Sequence, residues 1–389
     1  MTLGTEAGGL PAAGAPPEAR RLSLKRHLLE SGQIISPVQV AYETYGRLNS
    51  RGDNALLVCH ALTGSSHVAR HGPSDPEPGW WEGMVGPGLA LDTERYFVLS
   101  SNVLGGCYGT TGPSSVNPSD GRPYGTDFPA VTVRDMVSLQ YRLVRALGIR
   151  RLAAVIGGSM GGMLALEWAL MYPELVGSLI PIGACGRLSA QGIAFNRVQS
   201  LAITQDPAWN QGHYYGRPRQ PEAGLALARM VGTITYRSEK SWERRFHRRP
   251  QPEPEEGQFG VRYAIEGYLD HQGRKLSRQF DANTYLYLAR AMDHHDISRG
   301  RGSYREALER IQSPLLSVGI SSDFLFPPHQ QRELATSLRR AGRPARYAEL
   351  ETPHGHDGFL IEVEALSEIV VGFLEAQDRK GGLSWAMTS

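Results

Sequence analysis

Short, unbroken apolar runs separated by helical patterns constrain the fold of this chain more than any other feature. The runs lie at 55–58, 96–99, 153–156, 178–182 and 314–318, and most of them lead into glycine or serine. Runs of this length are typical of parallel strands that are covered on both faces. A helical apolar stripe at 133–147 lies between two of them. The alternation predicts an α/β fold with a doubly wound, mostly parallel sheet.

One long segment interrupts this alternation. Residues 186–305 contain no comparable strand-like run, and the patterns at 225–233 and 284–292 are helical. We interpret 186–305 as a mainly helical insertion, a lid, in a core domain formed by 18–185 and 306–378. Residues 1–17 are rich in glycine, alanine and proline and predict a flexible N-terminal arm, and 379–389 a C-terminal tail.

Charge and cysteine content exclude several classes of protein. Forty-one Lys plus Arg against thirty-nine Asp plus Glu give a net charge of +2, so the electrostatic footprint of a nucleic-acid binder is missing. No apolar run approaches the roughly 18–20 residues of a membrane span. Residues 1–20 contain no apolar core of a signal peptide. The three cysteines cannot form a disulfide framework. We therefore expect a cytoplasmic protein without membrane or nucleic-acid partners.

The sequence GGSMGG at 157–162 is the sharpest local motif. It fits G-x-S-x-G, with an apolar strand before it and a helical stretch at 163–170 after it, which is the context of a nucleophile elbow. Glycines belong there because the turn is strained and its neighbours must not crowd the serine. This predicts Ser159 as a nucleophile at a helix N-terminus. The alternative is a glycine-rich turn that only packs or that binds phosphate.

A serine nucleophile needs a base, and the base needs an orienting acid. Asp323 lies just beyond the run at 314–318, and His354 and His356 follow a strand-like stretch at 345–350. The order Ser, Asp, His is the one this arrangement requires. We favour His356, which is flanked by Gly355 and Asp357, over His354. Alternatively, Asp323 is a helix cap and the histidines are solvated loop residues.

The residues also indicate where an oxyanion would be bound. An oxyanion hole needs two backbone N–H groups. The candidates are Met160 and Leu62, which lies in the loop after an early strand.

The other histidines do not form a metal-binding spacing. The nearest approach is DHHD at 293–296, whose adjacent side chains point to different sides of a helix, so we expect no metal.

Five ordered strings connect the chain to a known family. They are CHALTGSSH (59–67), NVLGGCYGTTGPSS (102–115), IGGSMGG (156–162), LARMVGTITYRS (227–238) and GHDGFL (355–360). Over residues 20–375 the chain resembles homoserine O-acetyltransferases of the MetX type. The resemblance implies an α/β-hydrolase fold with a helical lid, and a homodimer that associates through the lids.

The same resemblance implies roles for particular residues. Ser159, Asp323 and His356 would be the catalytic triad, and Arg229 and Asp357 would contact the amino-acid substrate. An arginine side chain can form two parallel hydrogen bonds to one carboxylate, and a carboxylate can balance the charge of an ammonium group. The implied reaction moves the acetyl group of acetyl-CoA to the hydroxyl of L-homoserine through a seryl acyl-enzyme, a step of methionine biosynthesis. Coenzyme A enters as a co-substrate, and no cofactor is implied.

Other functions stay open. In succinyl-using relatives an arginine stands two positions after the triad acid, where this chain has Leu325, so we expect an acetyl donor. A homoserine O-succinyltransferase, or an O-acyltransferase for another hydroxy amino acid, is the first alternative. A serine esterase with the same triad is the second, because a fold does not define a function. A binding module that has kept the fold is the third.

Overall fold

The computed structural model describes residues 19–251 and 263–379 of the chain. The predicted N-terminal arm lies outside the described residues. So does the predicted C-terminal tail, apart from Arg379 at the end of the last helix. The division into core and insertion at the predicted boundaries stays a prediction.

Twelve strands are found in the described parts of the chain. They are β1 (Arg20–Leu24), β2 (His27–Leu28), β3 (Ile34–Ile35), β4 (Val38–Tyr45), β5 (Ala55–Cys59), β6 (Val85–Gly86), β7 (Leu91–Asp92), β8 (Phe97–Ser101), β9 (Leu152–Gly158), β10 (Leu179–Ile182), β11 (Leu315–Ile320) and β12 (Ala345–Leu350).

The α-helices of the same residues begin after β8, and from there they alternate with the strands except between β10 and β11, where several helices follow one another. They are α1 (Val133–Ala146), α2 (Met160–Met171), α3 (Ala190–Thr204), α4 (Glu222–Tyr236), α5 (Glu239–Phe246), α6 (Ala264–Gln279), α7 (Ala282–Asp293), α8 (Tyr304–Glu309), α9 (Pro328–Arg340), α10 (Gly358–Ile361) and α11 (Val363–Arg379). Short 3₁₀ helices span Gly125–Asp127, Pro207–Gly212 and Gly355–Asp357. Not one of the helices in 19–251 and 263–379 has the length and apolar character needed to span a bilayer.

Eight strands form one sheet in the order β1-β4-β8-β5-β9-β10-β11-β12. The six strands from β8 to β12 are parallel to one another, and β4 is antiparallel to both β1 and β8. The predicted doubly wound, mostly parallel sheet is therefore confirmed. The chain leaves β5 for β8 on one side and returns to β9 on the other. The carboxyl ends of β5 and β9 therefore flank a topological switch point, where open α/β sheets bind ligands.

Burial explains which strands could be predicted. Every residue of β5, β9, β10 and β11 is buried, as expected for strands with helices on both faces. On one face the core includes Met136 of α1, Met163 of α2 and Leu334 of α9. On the other face, Phe373 of α11 packs in a cluster with Trp81.

Two strands, β1 and β8, differ from what the apolar runs indicated. Strand β1, which we did not predict, lies at the sheet edge with mostly exposed side chains and is held by backbone pairing to β4. Strand β8 runs to Ser101, beyond the apolar run at 96–99, and Ser101 pairs with Tyr42. Both differences arise because the hydrogen-bond ladder, and not side-chain hydrophobicity, decides where a strand continues.

Helices α3–α7 lie between β10 and α8 and pack on one another over the carboxyl edge of the sheet. A Cβ atom at Gly224 of α4 would lie 2.5 Å from the carbonyl oxygen of Ala202 in α3. A Cβ atom at Gly273 of α6 would lie 2.9 Å from the carbonyl oxygen of Ala226 in α4. Glycine therefore lets the three helices approach closely at α4. We call α3–α7 the helical insertion.

Candidate active site

Ser159 joins β9 to α2 in a conformation with φ 58° and ψ −124°, which residues other than glycine rarely adopt. Its backbone N–H donates to the carbonyl oxygen of Ile182, at 2.9 Å, which holds the turn against β10. A Cβ atom at Gly161 would lie 2.1 Å from the carbonyl oxygen of Cys59. A Cβ atom at Gly157 would lie 2.5 Å from the backbone of Gly161. The geometry is that of a nucleophile elbow, and the glycines are needed because the backbone of β5 is so close.

Asp323 and His356 meet at the ends of β11 and β12. The Nδ1 atom of His356 lies 2.6 Å from Oδ2 of Asp323. Oδ1 of Asp323 accepts hydrogen bonds of 2.9 Å from the backbone N–H groups of Leu325 and Phe326. The carboxylate of Asp323 is therefore fixed in orientation. It holds the imidazole ring of His356 so that Nε2 points away from Asp323. Gly183 lies beside the pair at φ 49°, a left-handed backbone conformation that favours glycine.

His354 lies elsewhere. Its Nε2 atom is 3.6 Å from a carboxylate oxygen of Glu362, and its side chain is 33% exposed. Of the two histidines, His356 alone contacts Asp323 in the described structure.

A cavity of about 760 Å³, counted with its open mouth, brings most of the predicted site residues together. It lies between the carboxyl edge of the sheet and the helical insertion. Its lining includes Leu62, Ser159, Arg229, Leu325, His356 and Asp357. Asp323 lies behind His356, and Met160 follows the serine in the elbow. The Nε2 atom of His356 is buried and has no hydrogen-bond partner among the described residues.

The surroundings of His356 set its protonation. Burial disfavours the imidazolium ion, but the charge of Asp323 and its hydrogen bond, helped by Asp357, outweigh burial and raise the pKa of His356 above its ordinary value of 6.5. The imidazole ring stacks on Phe326 with centroids 5.0 Å apart and meets the edge of Phe359 at 5.8 Å. A base in this position is oriented and has an increased affinity for a proton.

The loop after β5 carries the first candidate oxyanion donor. In the described residues, neither the N–H of Leu62 nor that of Met160 donates a hydrogen bond, so both are available to an anion. His60 braces this loop. Its Nδ1 atom lies 2.8 Å from the carbonyl oxygen of Ala61, and its Nε2 atom accepts from the N–H of Val103 at 3.2 Å. Burial lowers the pKa of His60 to about 4, so the ring is neutral.

Arg229 and Asp357 both line the cavity. The guanidinium of Arg229, on α4, lies 5.6 Å from the ring centroid of Tyr236 and forms no ion pair with another described residue. Asp357 is already paired, through a contact of 3.1 Å with Nε of Arg237. Burial raises the pKa of Asp357, while Arg237 and Arg229 oppose that rise.

Sequence reasoning missed Arg237. It lies within the string at 227–238, but nothing in its spacing relates it to a carboxylate 120 positions away. The pairing exists because Gly355, at φ 68°, packs against the end of α4. A Cβ atom at Gly355 would lie 2.7 Å from the N–H nitrogen of Ser238.

Leu325 lines the cavity beside the triad and is buried. It is flanked by Phe324, which is 39% exposed, and by the buried Phe326. The only cationic side chain in the lining is Arg229, so within the described residues no second cation faces the cavity.

The segment at 293–296 does not form a metal site in the described structure. Asp293 accepts from the amide of Asn196 at 2.7 Å, and the ring of His295 is buried with Nε2 3.2 Å from the carbonyl oxygen of Cys185. The structure instead gathers Glu43, His67 and His71, with ligand atoms all within 4.8 Å of one another. The spacing argument overlooked this group because the glutamate comes from a distant strand.

Fold and site together define a protein of the α/β-hydrolase class, with a serine elbow at the switch point and a histidine–aspartate pair farther along the same carboxyl edge of the sheet. A family model described as the alpha/beta hydrolase fold matches residues 54–362. The chain is 56% identical over 361 residues to a homoserine O-acetyltransferase of Carboxydothermus hydrogenoformans, covering 92% of this chain and 95% of that protein. The chain belongs to the homoserine O-acetyltransferase family, whose members are enzymes.

Solved structures with the same fold include both a homoserine O-acetyltransferase and an esterase. A crystal structure of homoserine O-acetyltransferase from Bacillus anthracis has a TM-score of 0.85 at 32% identity, covering 92% of this chain and 97% of that chain. A crystal structure of esterase E22 has the same TM-score at 31% identity, covering 92% and 99%. Structural likeness therefore does not separate transfer from hydrolysis.

Proposed function

We propose that this enzyme transfers the acetyl group of acetyl-CoA to the side-chain hydroxyl of L-homoserine. The observation that carries the proposal is one cavity that holds Ser159, the unpartnered Nε2 of His356 and the guanidinium of Arg229. A nucleophile with its base serves any acyl transfer. The cation gives the cavity a partner for the carboxylate of an amino acid.

In the first half-reaction, Oγ of Ser159 attacks the thioester carbonyl carbon while its proton passes to Nε2 of His356. The N–H groups of Leu62 and Met160 stabilise the oxyanion, since neither has an acceptor in the described protein. The C–S bond then breaks, and coenzyme A leaves with the proton from His356. The acetyl group remains on Ser159 as an ester.

In the second half-reaction, the hydroxyl of homoserine gives its proton to His356 and attacks the ester. Ser159 regains a proton as the C–O bond to the enzyme breaks, and O-acetylhomoserine leaves. Arg229 binds the substrate carboxylate, and Asp357 balances its ammonium group. Coenzyme A leaves before homoserine reacts with the covalent acyl-enzyme, so the kinetics are ping-pong. No cofactor takes part, and the product serves methionine biosynthesis.

The acetyl preference rests on Leu325. A succinyl group would bring a second carboxylate beside the triad, and burial of a carboxylate without a cation costs several kcal/mol or more. Leu325 and its phenylalanine neighbours offer no charge there.

A homodimer that associates through the helical insertion is part of the proposal. Four large apolar side chains on α3 and α4 are 40–52% exposed: Ile193, Val198, Leu227 and Ile234. Leu227 and Ile234 are seven residues apart and so share one face of α4, away from Arg229. The proposed location is the cytoplasm, in keeping with three free, buried cysteines.

Esterase activity is the second candidate, favoured by the structural likeness to esterase E22. The two activities differ only in whether water or homoserine accepts the acetyl group. The acceptor that removes the acetyl group from Ser159 therefore decides between them.

The test mixes purified protein with acetyl-CoA and measures intact mass, then adds homoserine and quantifies acetate and O-acetylhomoserine. We expect one acetyl group on the wild-type chain, none on Ser159→Ala, and transfer to homoserine faster than release of acetate. Acetate release that homoserine does not divert would show an esterase. Absence of the acetyl adduct, with no product, would show a binding module.

A further inference from the structure

Three potential metal ligands converge at a point outside the cavity. Oε2 of Glu43, on β4, lies 2.9 Å from Nδ1 of His67 and 2.9 Å from Nε2 of His71. The two histidines belong to the loop that follows β5, so the contacts join that loop to a neighbouring part of the sheet. None of the three lines the cavity of the triad.

The glutamate is built into the protein interior. Its side chain is fully buried, and its Oε1 accepts from the hydroxyl of Ser66 at 3.0 Å. Its Oε2 also accepts from the hydroxyl of Tyr45 at 2.9 Å. A buried carboxylate is tolerated when hydrogen bonds and a positive charge compensate it. The hydroxyl groups of Ser66 and Tyr45 supply the hydrogen bonds. The positive charge has to come from the two histidines or from a cation between them.

His67 faces an acceptor oxygen at each ring nitrogen. Nδ1 lies 2.9 Å from Glu43, and Nε2 lies 2.9 Å from the carbonyl oxygen of Glu77. A neutral imidazole carries one N–H and can satisfy one of these. With Nε2–H donated to the carbonyl, Nδ1 presents a lone pair to the carboxylate, which is the arrangement of a histidine ligand whose other nitrogen is held by an outer partner.

His71 is held by its surroundings as well. Its ring stacks on Tyr45 with centroids 4.5 Å apart and planes 8° apart, which orients Nε2 toward Glu43. Its side chain is 19% exposed, so an ion can reach it from solvent.

A fourth group supports a cation independently. The side chain of Asp75 is only 7% exposed, and its Oδ2 lies 3.8 Å from Nε2 of His67. Its Oδ1 is buried without a hydrogen-bond partner among the described residues. Two carboxylates at one pair of histidines leave the site with negative charge unless both rings are protonated or a cation enters.

We propose that Glu43, His67 and His71 bind a transition-metal dication of the zinc class. Two imidazoles and a carboxylate suit zinc, whereas magnesium and calcium prefer oxygen ligands alone. Zinc bonds of about 2.0–2.1 Å place tetrahedral ligands about 3.3 Å apart. The present 2.9 Å contacts from Glu43 to the two histidines need to lengthen by a few tenths of an ångström, and the two histidine nitrogens already lie within 4.8 Å of each other.

The ion would stabilise the loop that carries the oxyanion donor. That loop runs from Leu62 to His71, and Ser66 N–H already donates to the side-chain oxygen of Asn102 at 2.8 Å. A metal that binds the folded chain but not the unfolded chain raises the stability of the protein by mass action. The role is structural, because the site lies apart from the reacting groups.

The experiment measures retained metal in tag-free, chelator-treated protein after incubation with zinc and gel filtration. We expect about one equivalent of zinc on the wild type and a rise in its unfolding temperature. His71→Ala should lose at least about tenfold in zinc affinity, since even an outer-shell partner contributes 10–100-fold. Magnesium at the same concentration should produce neither effect.

His329→Ala is the matched control, because His329 is an exposed histidine on α9 away from this group. It should bind zinc as the wild type does. If His71→Ala does not fold, His71→Gln, which keeps a side chain over Tyr45, replaces it. Zinc-free wild type, or equal zinc on wild type and the His71 variant, would overturn the proposal without touching the acyl-transfer assignment.

Discussion

Single side chains carry the proposed chemistry, and Ser159 and His356 are the two that react. Replacement of either by alanine should lower kcat by about a thousandfold or more, because loss of any member of such a triad leaves only binding and oxyanion stabilisation. Steady-state assays of O-acetylhomoserine formation measure this loss. Unfolding temperatures should stay near that of the wild type.

His354→Ala is the matched control for His356→Ala. It removes a histidine two positions away whose nearest acidic group is Glu362, at 3.6 Å, so most activity should remain. An inactive His354→Ala beside an active His356→Ala would reverse the assignment.

The environment of His356 also predicts the dependence of acylation on pH. The base works when neutral, and its pKa is raised, so acylation should fall as the pH drops through a value above 6.5. Asp323→Asn removes the charge that raises the pKa and should move this acid limb to lower pH, at a greatly reduced rate. Single-turnover acetylation across the pH range is the measurement. An unmoved limb in Asp323→Asn would mean that another group titrates.

Arg229 is expected to serve the second half-reaction alone. Arg229→Lys keeps the charge but loses the bidentate fork, so KM for homoserine should rise about 10- to 100-fold, or about 1.4–2.8 kcal/mol. Acetylation of Ser159 by acetyl-CoA should keep its wild-type rate. Equal damage to both half-reactions would assign Arg229 to support of the helical insertion instead.

At the scale of elements, the loop between β11 and α9 combines two tasks. Its backbone N–H groups at Leu325 and Phe326 hold Asp323, and the side chain of Leu325 faces the cavity. One short loop therefore orients Asp323 and shapes the cavity beside it.

Leu325→Arg tests the second task. It adds a cation beside the triad and should raise the ratio of kcat/KM for succinyl-CoA over acetyl-CoA by about tenfold, the equivalent of about 1.4 kcal/mol. Leu325→Gln, which is polar but uncharged, should leave the ratio nearly unchanged. A wild-type enzyme that uses succinyl-CoA faster than acetyl-CoA at equal concentration would contradict the acetyl assignment.

At the scale of the whole molecule, α4 connects the cavity with the outer surface. Arg229 faces inward, while Leu227 is 50% exposed on another face of the same helix. An association through this face would fix the helix that carries Arg229, the residue proposed to bind the substrate.

Leu227→Asp is therefore expected to shift the protein from dimer to monomer in sedimentation, since a charge would have to be buried in an apolar contact. Leu89→Asp, at a site that is 40% exposed on the turn between β6 and β7, is the control and should stay dimeric. A wild type that sediments as a monomer would remove the proposed interface.

The sequence by itself determined the features that depend on neighbouring residues. The elbow at Ser159 follows from glycines within three positions, and the buried parallel strands follow from unbroken apolar runs. The chain order of Ser159, Asp323 and His356 places all three at strand ends on one edge of the sheet. These features are local, because short-range sterics and burial decide them.

The tertiary structure decided everything that depends on two distant segments. Arg237 reaches Asp357 because the turn at Gly355 packs against the end of α4, and Glu43 reaches His67 because β4 lies in the sheet beside the loop after β5. The choice between His354 and His356 also needed the position of Asp323. Spacing along a chain does not encode which side chains meet across a fold, since that depends on how whole elements pack.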